Sequence, residues 1–426
     1  MALGAAWAEP VQAPWKLRRL KDVASVVNGY PFDSSAFEVN GAHAIVRIRD
    51  LNSERTETRY SGEWVDAAAI GNGDVLVGMD GDFNVGTWKG GAALLNQRVC
   101  CVRGSNPLLT RFLRYVLPTP LSVTNDLTYF TTVKHLSSVD VERITVPVPP
   151  ACLLAPIVSF LDDKTERIDA LIAEKERLVD KLVEYWHSKA AELVVRGLRP
   201  EVQMAETGVP YLGSMPSHWQ FVPLKSIFRL VAEPAPDDHG LELLSLYTSI
   251  GVRPRNELEA RGNKASSTDG YWLVRENDLV VNKLLAWMGA VAGSAYSGVT
   301  SPAYDILRPS HTANTWYFDA LLRSGIYLTE FKSKSRGIME MRLRLYWEQL
   351  GTVKVPLPPK QEQDEIVDEL NAQKKRVDSL LEHCHHHIAT LREYRSSLIS
   401  AAVTGRLDFD ADPSFFKEPQ VRPLSI

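Results

Sequence analysis

Two stretches of the chain carry apolar residues at three- and four-residue spacing, the period of one face of a long helix. The first seam reads Leu161, Ile168, Leu171, Leu178, Leu182 and Tyr185. The second reads Leu370, Val377, Leu380, Leu391, Tyr394 and Leu398. Both occupy one heptad register, which predicts coiled-coil packing. At 1.5 Å per residue, about 40 residues make a rod of roughly 60 Å, longer than a compact core needs. Lys175, Cys384 and His387 enter the seams as polar positions that weaken packing or fix register. A pair of helices each buttressing its own domain is the plainer alternative to a spacer.

Elsewhere the pattern is short. The β-prone runs AIVRI, DVLVG and RVCCV, then ELLSLY and DLVVN, are separated by glycine-rich turns such as GNG and WKGG. Each series leads to a helical stretch, LTRFLRYVL in the first and WYFDALLRSGIYLTEF in the second. Two more strand-like runs, ITVPV and VKVPL, end at Pro149-Pro150 and Pro358-Pro359, directly before the long helices. The pattern predicts a mixed α/β protein: two tandem α/β regions and two long helices packed as an antiparallel coiled coil.

The chain is also duplicated. The segments from Pro147 and from Pro356 align without gaps at an offset of about 209, with about 15 identities in roughly 52 positions. Ile157 matches Ile366, Leu161 matches Leu370, Asp169 matches Asp378, and Tyr185 matches Tyr394. A weaker echo pairs the start at Trp15 to Lys21 with Trp219 to Lys225. In the same register Gly73-Asp74-Val75-Leu76-Val77 pairs with Asn277-Asp278-Leu279-Val280-Val281. The plan is a variable region over 1–150, a helix over 151–205, a second variable region over 206–359, a second helix over 360–407, and a tail over 408–426.

Composition adds limits. Hydrophobic residues make up 45% and charged residues 23%, ordinary for a globular chain. Four cysteines, two of them adjacent, form no disulfide framework and suit a reducing cytoplasm. The first residues have neither the basic region nor the apolar run of a signal peptide, and no stretch approaches a membrane span. The net charge of −4 with a pI near 6.2 does not by itself suggest nucleic acid; placement of charge matters more than its sum.

Catalytic motifs were sought and rejected. The phosphate-loop pattern and G-x-S-x-G are absent, as is any Asn-Pro-Pro-aromatic or Asp-Pro-Pro-Tyr tetrapeptide. Asp80-Gly81-Asp82-Phe83-Asn84 imitates a calcium loop, but Val85 and Gly91 stand where glycine and glutamate are needed. Asp319, Glu330 and Lys332 have the residue types of a metal-dependent nuclease, on what reads as a surface helix. His383 to His387 places two histidines one turn apart, and a solvated helix face explains it as well as metal does. No metal ligands are assigned.

Basic residues cluster in both variable regions. Arg47, Arg49, Arg98, Thr132, Lys134 and His135 are the candidates for DNA contact in the first. Lys283, Lys332, Lys334, Arg336, Arg342 and Arg344 are those in the second. Arginine and lysine contact phosphates, and arginine also reads guanine edges.

The doubled PVPP/PLPP-helix units, the Trp-x-x-x-x-Leu-Lys starts, TTVKHLSS, GVPYLGSMPSHW, PLPPKQEQDEIV and LISAAVTGRLDF together resemble the specificity subunits of type I restriction-modification enzymes. The resemblance runs from about Trp15 to Phe409. It implies two target recognition domains, each reading half of a split DNA site, and a helical spacer that docks two methyltransferase subunits. Two restriction-translocase subunits complete the enzyme, and the resemblance implies that adenine methylation and ATP-dependent cleavage reside on these partners, with this chain non-catalytic. It also implies no cofactor on this chain: S-adenosylmethionine, ATP and Mg belong to the partners. The second region carries SKSRGIMEMRLRL where the first has its TTVKHLSS-like run, a departure expected if the two regions read different bases. A stand-alone metal-dependent nuclease and a scaffold that ignores DNA are the competing readings.

Overall fold

The computed structural model describes residues 11, 14–51, 53–127, 135–236, 240–258, 270–337, 343–407 and 409. The fold is mixed α/β, as the pattern predicts. The chain divides into two compact units, Met1–Lys175 with His387–Ile426, and Glu176–His386.

Both units are built on the same frame. In the first, strands β1 (Lys16–Arg19), β2 (Ala24–Asn28), β3 (Val75–Gly78), β4 (Val85–Thr87) and β5 (Val99–Gly104) precede helix α1 (Pro107–Val116). Strand β6 (Thr145–Val148) then leads into α2 (Ala151–Arg196). In the second, the counterparts are β7 (Gln220–Pro223), β8 (Phe228–Val231), β9 (Leu279–Asn282), β10 (Val291–Gly293), β11 (Tyr304–Pro309) and α3 (Thr315–Arg323). Helix α4 (Leu328–Lys334), strand β12 (Lys354–Leu357) and helix α5 (Lys360–Val403) follow.

The sheet orders are β2-β5-β3-β4 and β8-β11-β9-β10, antiparallel throughout. Each entry strand closes on the strand before a long helix, with Lys16 opposite Val148 and Gln220 opposite Leu357.

The continuous apolar runs of the central strands have a physical cause. Successive side chains leave a strand on opposite faces, and both faces here are covered. Val75 and Val77 enter the core that holds Phe112 of α1, while Leu76 enters a second core around Trp88. Likewise Leu279 and Val281 face the core of α3, and Val280 faces a separate cluster with Leu244. Adjacent Cys100 and Cys101 point into different cores, and burial pushes both thiols up to about 12.

The second layer differs between units. The first has a five-stranded sheet of short strands that includes His43–Val46 parallel to Ala93–Leu95. The second has two ribbons, Leu244–Tyr247 with Gly251–Pro254 and Trp272–Val274 with Gly298–Thr300.

The stretch WYFDALLRSGIYLTEF is two helices rather than one. α3 stops at Ser324 because Gly325 takes the left-handed conformation (φ 84°), and α4 starts afresh.

Both long helices form, with 46 and 44 residues. In the first unit Arg395 of α5 donates to Asp169 of α2 at 2.7 and 3.1 Å. In the second, Arg199 beyond α2 lies 3.5 Å from Glu365 near the start of α5. In the first unit Phe160 of α2 also meets Phe409, beyond the end of α5, at 5.4 Å between ring centroids, so the two helices run antiparallel there.

Their seams differ from the sequence expectation at five positions. Leu171, Leu178 and Tyr185 are 46%, 42% and 50% exposed, and Leu380 and Tyr394 are each 52% exposed. Most belong to apolar doublets, and one residue along a helix is a turn of about 100°. The structure puts the second member inward, so Ile172 is buried and Val179, Trp186 and Leu381 are half-buried. Beside Tyr394 the inward position is Arg395, held by Asp169. Leu161, Ile168, Leu370 and Val377 are buried, and Leu182, Leu391 and Leu398 half-buried.

Each entry tryptophan seats on the glycine that follows a long helix. A Cβ on Gly405 would come 2.7 Å from Trp15 Nε1, and one on Gly197 would come 2.9 Å from Trp219 Cζ2. Both glycines have left-handed backbones (φ 74° and 73°).

Candidate nucleic-acid interface

In both units β3 and its counterpart β9 begin at the same kind of turn. Gly73 and Asn277 hold left-handed backbones there (φ 89° and 70°), the conformation glycine and asparagine tolerate. The next residue is an aspartate that receives a two-pronged arginine from the neighbouring strand. Arg103 donates to Asp74 at 2.8 and 2.6 Å, and Arg308 donates to Asp278 at 3.0 Å from each nitrogen. Burial raises the Asp74 carboxyl, but the Arg103 fork and the Gly71 amide outweigh it and hold its pKa below the usual range. Sequence reasoning found the two aspartates and missed their arginines. The available signal was Arg103 and Arg308, each at the end of a strand and at nearly the same spacing from its aspartate.

The far ends of these strands also agree. Leu136 N donates to Met79 O at 2.7 Å, and Leu345 N donates to Lys283 O at 3.0 Å. Leu136 and Leu345 thus return to the frame in the same way, although the sequences leading to them, TTVKHL and MEMRLRL, show no likeness. Thr132, Lys134 and Arg342 precede these anchors and lie outside the described residues.

Around the first anchor, Asp80 collects two candidates: Arg98 Nη1 at 3.2 Å and His135 Nδ1 at 2.7 Å, both well exposed. Arg47 is fixed by Thr58 and lies 5.9 Å from the Phe37 ring centroid, while Arg49 donates to the same hydroxyl at 3.3 Å. In the second unit, exposed Arg336 and Arg344 form a backbone bridge with two 2.9 Å hydrogen bonds. Lys332 stands 5.7 Å from the Trp287 ring centroid, and Lys334 pairs with Glu330 at 3.4 Å. Lys283 is turned inward, 3.2 Å from Asp305 and donating to Pro302 O at 2.7 Å. Burial raises the pKa of Asp305 against the pull of Lys283. The structure thus gathers Arg98 with His135, and Lys332 to Arg336 with Arg344; Lys283 adjoins the second group through its carbonyl, which takes the Leu345 amide, while its side chain turns to Asp305.

The nuclease-like trio does not assemble. Asp319 is half-buried, accepts from the Gly293 amide at 2.9 Å and lies 3.7 Å from Arg323, whereas Glu330 faces Lys334. Asp80 to Asn84 is a hairpin tip, with Phe83 buried. His383 bonds back to Ser379 O at 2.6 Å on α5. Among the described residues, no group of three or more His, Cys, Asp or Glu side chains could hold a metal ion. Nor is any described helix long and apolar enough to cross a membrane.

Comparison with known proteins agrees along the chain. The sequence profile of the type I restriction modification DNA specificity domain (Methylase_S) matches residues 12–179. The type I restriction enzyme EcoBI specificity subunit of Escherichia coli is 28% identical over 416 residues, 92% of this chain and 86% of that protein. A chain from a structure describing assembly and conformational transition of the type I R-M system shares the fold with a TM-score of 0.67 at 16% identity. The match covers 93% of this chain and 99% of that one. The HsdS subunit of Thermoanaerobacter tengcongensis aligns with a TM-score of 0.51, also at 16% identity, over 94% and 99% of the two chains.

Proposed function

We infer that the chain belongs to the specificity subunits of type I restriction-modification systems, and that its two units are two DNA readers. The chain supplies sequence choice and performs no catalysis itself. One observation supports the reading above others: the frame repeats, down to the Asp–Arg forks and the leucine anchors, while the residues at its far edge do not. A repeated frame with differing contacts is what a split, asymmetric site requires, because pseudo-twofold placement is kept while the bases read change.

In this reading Arg98, His135, Lys134 and Thr132 serve the first half-site, and Lys332, Lys334, Arg336, Arg342 and Arg344 the second. Arg47 and Arg49 belong with the first group and Lys283 with the second. Two methyltransferase subunits dock on the doubled helical surface, and two restriction-translocase subunits join them. S-adenosylmethionine, ATP and Mg belong to those partners, and the complex works in the cytoplasm.

The experiment is to co-express the chain with its methyltransferase subunit and map modified adenines by long-read sequencing. A split motif that vanishes when this chain is omitted is the expected result. A soluble complex that modifies nothing would favour a scaffold without DNA reading.

A further inference from the structure

Within the first unit a cleft of about 550 Å³ opens between the reader and the last turns of α5. Four cations line it, Lys89, Arg114, Arg392 and Arg395, against a single carboxylate, Glu54. Glu54 is answered by Lys89 at 3.0 Å, and Arg395 is held by Asp169. Arg114 has no ion-pair partner among the described residues. Its guanidinium lies 4.7 Å from the Tyr115 ring centroid and donates to Tyr115 Oη at 3.1 Å. That tyrosine is itself fixed by donating to Asp162 at 2.5 Å, so the Arg114 charge is held in place.

The neutral lining fits the same ligand. Ser53, Thr87, Thr119 and Ser396 bring hydroxyls, and Thr87 Oγ1 is shielded from solvent with no hydrogen-bond partner. Guanidinium and ammonium groups with hydroxyls beside them are the usual company of a phosphate. The cleft also adjoins the candidate reading residues. Leu51, Ser53 and Glu54 follow soon after Arg47 and Arg49, and Val85 to Thr87 descend from the hairpin that carries Asp80. The helical pair of cations is not repeated in the second unit. The positions on α2 equivalent to Arg392 and Arg395 are Val183 and Trp186, and Trp186 packs on the core.

We propose that this cleft holds phosphate of the DNA backbone, a sequence-independent grip that belongs to the first reader alone. The proposal rests on the reading of the chain as a DNA reader and adds a contact to it. Its occupant is DNA rather than a free nucleotide or an acidic protein segment, because two of its lining segments run on along the chain from Arg47 and Arg49 and from the hairpin whose Asp80 holds Arg98 and His135.

The test uses the full chain in complex with its methyltransferase partner. DNA affinity is measured from about 50 to 200 mM salt for the natural complex and for Arg114→Gln/Arg392→Gln, with and without the motif in the DNA. Losing one or two phosphate contacts should make the salt slope shallower by roughly one to two and weaken both DNAs by the same factor. The methylated motif should not change. An unchanged slope in an assembled variant overturns the proposal. So does loss of assembly with the methyltransferase, which would assign the cleft to a protein segment. Triphosphate binding by the DNA-free complex that disappears in the variant while the DNA slope stays would assign it to a free nucleotide, and also overturns it. Should the double variant fail to fold, Glu54→Gln gives the opposite sign: tighter binding is expected, and unchanged binding counts against the cleft. A natural complex that binds no DNA at any salt would instead remove the underlying reading.

Discussion

In the first unit the central strand runs on into Met79 and Asp80, and Asp80 gathers Arg98 and His135. In the second its counterpart runs on into Lys283 and Leu284, and Lys283 turns back to Asp305. The backbone does the same thing in both places, since the carbonyls of Met79 and Lys283 each take an amide from a returning leucine. At the near end the two units are alike in side chain as well, with aspartate met by arginine. The difference teaches where a duplicated frame tolerates change. Residues that fix the frame are retained, and residues beyond the anchoring carbonyls are free to diverge. The second layer follows the same rule, being a five-stranded sheet in one unit and two ribbons in the other.

The comparison can be broken most strongly at the forks. Asp278 is almost wholly buried, its side chain 2% exposed, whereas Asp74 is 14% exposed and its Arg103 partner 38%. Arg308→Ala should cost about 3 kcal/mol by leaving a buried carboxylate without its main partner. Arg103→Ala should cost distinctly less, because water reaches that pair. Chemical denaturation of the two variants checks the order, and equal losses would mean the forks are not graded by burial.

The helix seam gives the next effect. Ile172→Ala should lose about 2 kcal/mol, and Leu171→Ala should stay within about 0.5 kcal/mol. A larger loss at Leu171 would restore the seam expected from the sequence.

The glycines beneath the entry tryptophans should behave alike. Gly197→Ala and Gly405→Ala each combine a left-handed backbone with a crowded Cβ, and about 1–2 kcal/mol is expected from either. A cost at one site only would show that the two units are closed differently.

A smaller and one-sided effect belongs to Tyr317, whose hydroxyl donates to Val194 O at 2.7 Å in a dry core. Leu109 stands at the matching position of α1 and makes no such bond. Tyr317→Phe should cost about 1 kcal/mol, read as a shift in the denaturation midpoint.

The smallest effect is in acid. The pKa of Asp74 is lowered in the folded chain, so its contribution is complete above the ordinary aspartate pKa of about 3.9. It is lost as pH falls through the lowered value. Arg103→Ala should therefore flatten the stability profile below about pH 4. An unchanged profile would separate the fork from acid stability.

Much of this was legible in the chain. Duplication gave the two repeated units, and proline pairs marked the starts of both long helices. The alternation of Val75, Leu76 and Val77 could not be read as two-faced, because a run buried on both sides shows no polar phase. The seam was misread for a related reason. Leu171-Ile172, Leu178-Val179 and Tyr185-Trp186 offer two apolar choices each, and only the partner decides between them. The likeness of the far edges was invisible, because what TTVKHL and MEMRLRL share is a backbone hydrogen bond, which leaves no mark on residue type. The candidate contacts were found as a population of basic residues. Their sorting into Arg98 with His135, against an inward Lys283, needed the packing around Asp80 and Asp305.

The central claim is that the two frames are interchangeable supports for separate half-sites. It is tested most directly by replacing residues 15–150 with the corresponding region of a type I specificity subunit of different motif and mapping methylated adenines in the complex assembled with the methyltransferase. The account predicts that one half of the motif is replaced, while the other half and the gap between them stay as they were. A change in both halves, or in the gap, would contradict it.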